Sequence, residues 1–181
     1  MELISFLNYR KKSTVSKAKK GDKEAFLALI DENRLNLYRV ARGILIDKED
    51  IEDALQNTII HSFQKLNSLK QDEYFRTWII RILINECNEI LRKSKRVTYL
   101  DENNNTEICS DSYENMDLTR AINSLSEELR ITTVLFYFED MSLKDIAKIL
   151  KIPEGTVRSR LTRARVKLRE IISEVEYDAS K

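Results

Sequence analysis

The chain has 181 residues, of which 42% are hydrophobic and 34% charged, and its formal net charge is only +1. Three glycines and one proline leave few residues that favour turns, so long helices are expected and a strand-rich fold is not. No apolar run is long enough to span a bilayer, and the apolar stretch at 3–7 is too short for a signal peptide.

Three helices are predicted in the first half of the chain, after a short basic lead-in at residues 1–22 whose structure the sequence does not indicate. Apolar residues recur there at helical spacing in three successive stretches. The stripes are Phe26, Ile30, Leu37, Val40 and Ile44, then Ile51, Leu55, Ile59, Ser62 and Leu66, and then Phe75, Ile79, Ile82, Leu83 and Ile90. They predict an N-terminal helical domain over residues 23–96.

Five acidic residues lie at the start of the second predicted helix: Asp47, Glu49, Asp50, Glu52 and Asp53. Each negative charge near a helix N-terminus is stabilising by about 0.3–1 kcal/mol, which is one account of the cluster. The other is a docking surface for a basic partner, to which Gln56 and Asn57 would add hydrogen bonds. Both interpretations stay open at this point.

The third predicted helix carries one polar face at positions i, i+4, i+7 and i+11: Arg81, Asn85, Asn88 and Arg92. Trp78 borders it, and Lys93, Lys95 and Arg96 follow as candidates for phosphate contacts. Guanidinium, amide and indole groups can stack on and hydrogen-bond unpaired bases. Trp78 could equally belong to the core, so Asn85 is the preferred base contact.

A linker is predicted at residues 97–117. Its stretch DENNNTEICSDSYENMD, at 101–117, has six acids, no base and no helical period. We therefore expect an all-α protein in which a flexible acidic linker joins two small helical domains, the second over residues 118–176.

The second domain is predicted to contain a helix-turn-helix. Helices are expected around 118–125 and 127–139, and Ser142 with Asp145 is typical of the start of another. Ile146, Ala147 and Leu150 form its apolar face. Pro153 suits the first position of the following helix, so two helices meet at a tight break.

The last helix is strongly basic. The stretch GTVRSRLTRARVKLRE, at 155–170, holds six basic residues and no acid before its final position. An apolar stripe of Val157, Leu161, Ala164, Leu168 and Val175 leaves the following residues on its other faces: Arg158, Ser159, Arg160, Thr162, Arg163, Arg165, Val166 and Lys167. Small hydroxyls allow close approach to DNA, and arginines reach phosphates or guanine edges. A solvated amphipathic helix is the alternative, but the acids that would pair these bases are missing.

Nothing in the sequence indicates an enzyme. His61 is the only histidine and is expected at the surface, and no nucleophile–base pair, metal-ligand cluster or phosphate-binding glycine loop is present. We therefore expect no catalysis, cofactor, metal or small-molecule substrate. Cys87 and Cys109 are expected to be free thiols of a reducing compartment, so the protein is predicted to be cytoplasmic.

Taken together, the chain resembles extracytoplasmic-function (ECF) sigma factors of bacterial RNA polymerase over residues 20–96 and 118–172. Their DNA-binding segment is similar to MSLKDIAKILKIPEGTVRSRLTRARVKLRE, their promoter-melting segment to FRTWIIRILINECNEILRKSKR, and their polymerase-docking helix to DKEDIEDALQNTIIHSFQKL. All three occur in the family's order around a linker, which makes the match specific.

The resemblance implies a role for each segment. Residues 158–167 would read the upstream promoter element, while Trp78, Arg81, Asn85, Asn88, Arg92 and Lys93 would bind the downstream element and flipped bases of the non-template strand. The family's docking helix binds the clamp helices of the largest polymerase subunit, which implies docking by Asp50, Asp53, Gln56 and Asn57. Glu89 departs from the family, where Asp is usual.

The implied partners are core RNA polymerase, promoter DNA as duplex and as single strand, and an anti-sigma factor, either soluble or membrane-bound. Two alternatives stay open. A helix-turn-helix regulator that acts without joining polymerase would not require the acidic cluster or the polar face of the third helix. A helical adaptor would use the basic helix to bind protein, and salt-sensitive DNA binding would exclude it.

Overall fold

A computed structural model describes residues 14–98 and 121–178 of the chain, and all regular secondary structure within these ranges is helical. The chain divides into two compact units, unit 1 (Met1–Glu102) and unit 2 (Asn103–Lys181). The predicted all-α fold class is confirmed. The predicted acidic linker lies outside the described residues from position 99 onward, and the domain boundaries given above stay predictions.

Unit 1 contains four helices in the described range. Its helix α1 is described over residues 14–19, and it is followed by α2 (Lys23–Arg42), α3 (Lys48–Lys65) and α4 (Phe75–Thr98). Two short 3₁₀ turns, Leu66–Ser68 and Asp72–Tyr74, lie between α3 and α4. We call residues 66–74 the entry loop, since it leads directly into α4.

Local sequence signals explain where these helices begin. The side chain of Asp22 accepts a hydrogen bond from the Ala25 amide, and that of Asp47 accepts from the amides of Glu49 and Asp50. Each carboxylate thereby satisfies amides that have no partner within the first helical turn. Gly21 joins α1 to α2 at a φ of +97°, a conformation that a residue with a Cβ rarely adopts.

The predicted stripe that begins on α2 is buried from Phe26 to Ile44, although the helix itself ends at Arg42. The stripe of α3 differs in detail, because the small residues Ala54, Thr58 and Ser62 are buried while Leu55 and Ile59 are only half-buried. Small side chains let α3 approach α4 closely, and these two helices share an extensive contact.

The lead-in contributes to the core, which the sequence did not indicate. Val15 and Ala18 on α1 are buried, so at least this part of the predicted lead-in packs with unit 1. On α4 the core includes Ile80, Ile84 and Cys87 beyond the predicted stripe, and Ile82 and Ile90 are only half-buried.

Unit 2 contains α5, described over 121–123, then α6 (Glu127–Thr133), which continues as a π-helical turn at Val134–Phe138. Helix α7 (Leu143–Leu150) and helix α8 (Glu154–Asp178) follow. The buried residues Leu135, Ile146 and Val157 come from three of these elements, which pack against one another around one core.

The helix-turn-helix predicted from the sequence is present. The Ser142 hydroxyl accepts from the Asp145 amide at 3.1 Å and donates to its carboxylate at 2.6 Å, so the predicted start of α7 is confirmed. Lys151 ends α7 in the left-handed conformation, with φ of 56°. Pro153 precedes α8, one position earlier than predicted, and its carbonyl accepts from the Val157 amide at 3.2 Å.

The stripe predicted for α8 is buried at Val157, Leu161 and Ala164, and half-buried at Leu168. The side chain of Val175 lies outside the described part. Among the helices that the structure describes, none combines the length and the apolar character that crossing a membrane would require.

Candidate nucleic-acid interface

One surface of α8 is lined by basic and hydroxyl side chains. Six of the sequence-predicted residues are exposed there, and we call them the basic face: Arg158, Ser159, Thr162, Arg163, Arg165 and Lys167. The Ser159 hydroxyl donates to the Thr156 carbonyl at 3.0 Å, and that of Thr162 donates to the Arg158 carbonyl at 3.1 Å. Both hydroxyl groups are therefore held against their own helix. Because serine and threonine side chains are also short, they let another surface approach α8 closely.

The positive charge of the basic face is only weakly neutralised. Arg158 lies 3.5 Å from Glu154, but both side chains are exposed, so this pair contributes little. No ion pair holds Arg163 or Lys167 within the part of the chain that the structure describes. These two cations are therefore available to an anionic partner.

Arg160, which the sequence placed among the candidate DNA contacts, is less exposed than the members of the basic face. Its Nη2 atom lies 2.9 Å from Oε2 of Glu128 on α6, and its side chain is only 14% exposed. Position 160 follows Val157 by three residues and precedes Ala164 by four, so it borders the buried stripe. The neighbouring helix therefore covers much of Arg160, and its contact with DNA stays a prediction.

Arg165 is exposed but held in place. Its Nε atom donates to the Tyr137 hydroxyl at 2.6 Å, and its guanidinium lies 5.9 Å from the centre of the tyrosine ring. Tyr137 comes from the π-helical turn, 28 residues earlier in the chain. No local pattern in the sequence indicated that this tyrosine supports the basic face.

A second polar face lies on α4 of unit 1. Its members Arg81, Asn85, Asn88 and Arg92 are all exposed, so the structure brings the predicted residues onto one surface. We call them the α4 polar face. The Nε atom of Arg92 donates to the Asn88 carbonyl at 3.3 Å, and the neighbouring Lys93 pairs with Glu89 at 3.4 Å.

Trp78 is packed on one side and open on the other, so both roles considered for it stay open. Its ring packs on the buried Phe75 with centroids 5.8 Å apart, yet the residue is only half-buried. Phe75 thus fixes the indole at the edge of the α4 polar face. An indole held in this way offers a surface on which a base can stack.

The polar residues in the first half of α3 differ in their surroundings. Asp47 caps the helix, whereas Asp53, Gln56 and Asn57 are exposed on one side of it, with Asp50 half-buried beside them. We call Asp50, Asp53, Gln56 and Asn57 the docking face. The exposed Ile60 extends the same side of α3 by one turn.

The pKa of Asp50 reflects its crowded surroundings in the acidic cluster. Partial burial raises the pKa of this carboxyl, and so do the nearby charges of Asp47, Asp53 and Glu49. A helix N-terminus acting alone would lower the pKa. Burial and the neighbouring carboxylates therefore disfavour the charged form of Asp50, and both accounts of the acidic cluster stay open.

His61 and Cys87 both take part in packing or contacts within unit 1. His61 on α3 lies with Nδ1 2.8 Å from a carboxylate oxygen of Glu86, and so links α3 to α4. Cys87 is a buried free thiol, as predicted, and burial raises its pKa to about 12. Cys109 lies outside the described residues. Within those residues, no group of three or more potential metal ligands is present.

Comparisons with known proteins match both units. The family model described as Sigma-70 region 2 matches residues 29–97, and that described as Sigma-70, region 4 matches residues 115–168. The ECF RNA polymerase sigma factor SigW of Bacillus subtilis is 30% identical, with 88% of this chain and 95% of that protein covered. SigM of Mycobacterium tuberculosis, also named an ECF RNA polymerase sigma factor, is 31% identical, with coverages of 84% and 79%.

A solved structure supports the same similarity. The sigma factor RpoE of Bartonella quintana, crystallised in complex with the anti-sigma factor NepR, superposes with a TM-score of 0.70. It is 26% identical in sequence, and the match covers 81% of this chain and 97% of that one.

Proposed function

Because the chain belongs to the family of ECF RNA polymerase sigma factors, we propose that it directs core RNA polymerase to promoters and helps to open them. The observation that carries this proposal is the presence in one chain of both sigma-70 regions, each with an exposed face suited to DNA. The protein performs no covalent chemistry in this role, since the polymerase supplies it. A protein with this role acts in the cytoplasm, where polymerase and chromosome meet.

Unit 2 recognises the upstream promoter element as duplex DNA. Helix α8 has the width that fits a major groove, and its basic face carries exposed arginines beside short hydroxyl side chains. Arg163 is the candidate for reading guanine, because it is exposed and no ion pair within the described residues holds it. Arg158, Arg165 and Lys167 provide phosphate contacts that set register and salt dependence.

Unit 1 binds the downstream element and its unpaired bases. The α4 polar face offers amide donors and acceptors at Asn85 and Asn88, flanked by two arginines, and Trp78 supplies an aromatic surface. Extruding a base costs a few kcal/mol, so contacts of this kind must stabilise the opened strand. Lys93 follows as a phosphate contact.

The docking face binds core polymerase. Acidic and amide side chains on one side of α3 suit a basic partner surface, and the exposed Ile60 adds an apolar contact beside them. Charges of this kind mainly set the rate of encounter and its dependence on salt. An anti-sigma factor is a further partner, by analogy with the relative crystallised with NepR.

The test is to reconstitute the protein with core polymerase lacking any sigma factor and to supply a library of promoter sequences. We expect transcription from a defined subset that shares two conserved elements. The matched control is a variant with the charges of Asp50 and Asp53 reversed, which should give little transcription at equal concentration. Specific duplex binding without any gain in transcription would instead indicate a regulator that does not join polymerase.

A further inference from the structure

The entry loop is tied to the start of unit 1 by one lysine. Lys19 on α1 donates from Nζ to the Leu69 carbonyl at 2.6 Å and to Oδ1 of Asp72 at 2.5 Å. The two acceptors lie 50 and 53 residues further along the chain. The contact is therefore purely tertiary, and it joins the first described helix to the segment that leads into α4.

This ion pair is better shielded from water than the exposed pairs of unit 1. The side chains of Lys19 and Asp72 are only 21% and 15% exposed, whereas those of Lys93 and Glu89 are 72% and 51% exposed. A charge-assisted pair that water screens poorly is stronger, and it leaves an unpaired charge when one partner is removed. Lys19 is therefore a substantial constraint on the loop.

The other hydrogen bonds of the entry loop include local ones, from the Ser68 hydroxyl to the Lys65 carbonyl and from the Leu69 and Tyr74 amides to the Leu66 and Gln71 carbonyls. Neither 3₁₀ turn begins with a side-chain cap. The buried residues that anchor the entry loop are Leu66 and Leu69. The side chains between and after these anchors are exposed: Asn67, Ser68, Lys70, Gln71, Glu73 and Tyr74. The loop thus presents polar groups immediately before the start of α4, on a backbone whose middle is held by Lys19.

We propose that Lys19 is a positioning residue for the entry loop, and that it sets how strictly unit 1 discriminates among extruded bases. The inference rests on the proposed function, in which α4 engages single-stranded promoter DNA, and it extends that role to the entry loop, which leads directly into α4. Hydrogen-bond readout of a base needs donors and acceptors fixed to within a fraction of an ångström. A loop freed from Lys19 would adapt to several bases, and it would first have to be ordered on binding.

The experiment compares Lys19→Met with the wild-type protein, each assembled into polymerase holoenzyme. The probes are promoters with a pre-opened bubble that carry each of the four bases in turn at every non-template position. Competition between them measures base discrimination. We expect Lys19→Met to reduce discrimination about three- to tenfold at one or more positions, because loop ordering is lost. Lys19→Arg keeps donors for both acceptors and should restore most of it.

A matched variant distinguishes positioning of the entry loop by Lys19 from an effect of Lys19 on stability alone. Val15→Ala removes buried packing from the same helix α1 but leaves Lys19, Leu69 and Asp72 unchanged. Measured well below both unfolding temperatures, Val15→Ala should keep wild-type discrimination even where its Tm has fallen as far as that of Lys19→Met. Asp72→Asn should reduce discrimination, and the double variant with Lys19→Met should add little further loss.

Wild-type discrimination in Lys19→Met would overturn the proposal. So would an equal loss in Val15→Ala at equal Tm, since α1 would then act through stability alone. If the wild-type holoenzyme itself shows no base discrimination on the bubbles, the proposed function of unit 1 fails, and this inference falls with it.

Discussion

Arg160 on α8 and Glu128 on α6 form an ion pair that anchors the basic helix to the rest of unit 2, with 2.9 Å between Nη2 and Oε2. The arginine is nearly covered while the glutamate is exposed, so the pair lies at the edge of the core, one helical turn from Arg163 of the basic face. Arginines of the same short stretch therefore serve different purposes.

Arg163 and Arg160 should accordingly differ when each is replaced by alanine. Arg163→Ala is expected to weaken promoter binding by about 1–3 kcal/mol and relax preference at one base pair, if it contacts guanine bidentately. Arg160→Ala should lower the free energy of unfolding by about 1 kcal/mol and leave base preference unchanged. Two measurements distinguish these variants: binding to a series of promoters that each differ by one base pair, and thermal unfolding of the protein. A changed base preference in Arg160→Ala at unchanged Tm would show that this arginine contacts DNA bases.

Tyr137 should influence DNA binding through Arg165. Arg165→Ala is expected to weaken binding to all sequences alike and to reduce the salt slope by about one unit. Tyr137→Phe removes only the hydroxyl, so a smaller uniform loss is expected, with none in the Arg165→Ala background. Tyr38→Phe makes the same change in unit 1 and should leave duplex binding unaltered. Additive losses in the double variant would show that Tyr137 acts independently of Arg165.

Charge reversal on the docking face should weaken polymerase binding without unfolding the protein. Asp50→Lys with Asp53→Lys replaces two negative charges on one side of α3, so the rate of association should fall, most strongly at low salt. Stopped-flow mixing with core polymerase measures this rate, and circular dichroism checks the fold. Normal association at low salt would exclude this surface as the dock.

Asp50 and Asp47 should have opposite effects on stability. The raised pKa of Asp50 means that its protonated form is favoured in the folded protein, so its contribution to stability is lost as the pH rises through the folded-state pKa. Asp50→Asn should therefore equal or exceed the wild-type Tm at neutral pH and converge with it in acid. Asp47→Ala removes the helix cap and should lower the free energy of unfolding by about 0.5–2 kcal/mol. Thermal unfolding across the acid range would refute this account if Asp50→Asn were less stable than wild type at pH 7.

Asn85 should matter more for promoter opening than for the first binding step. Asn85→Ala removes a donor and an acceptor from the α4 polar face, so an extruded base loses stabilisation. Open complexes should decrease on a normal promoter and recover partly on a template with a pre-opened bubble. Duplex binding through unit 2 serves as the internal control and should persist. Wild-type opening on the normal promoter would make Asn85 an ordinary surface residue.

Cys87 should be unreactive while unit 1 is folded. Its thiol is buried with a pKa of about 12, so almost none is present as the reactive thiolate at pH 8. In a Cys109→Ser variant, which leaves Cys87 as the only thiol, alkylation should become fast only in denaturant. Rapid labelling under native conditions would mean that the packing of α4 opens readily.

Local sequence patterns predicted much of the fold of this protein. The stripe from Phe26 to Ile44 was predicted and is buried, and the Ser142–Asp145 signal begins α7 as expected. Both depend on residues a few positions apart, because helix periodicity and capping operate within one or two turns. The same local regularity predicts the helix-turn-helix and the α4 polar face from the amino-acid sequence.

Only the tertiary structure decided which charged residues are available. Arg160 and Arg163 are indistinguishable by composition, yet the position of α6 covers one and leaves the other exposed. Tyr137 meets Arg165, and Lys19 meets the entry loop, through contacts between residues far apart in the chain. A periodic pattern shows which side of a helix faces inward, but not which helix lies beside its edge. Partners of residues at that edge therefore follow from packing alone.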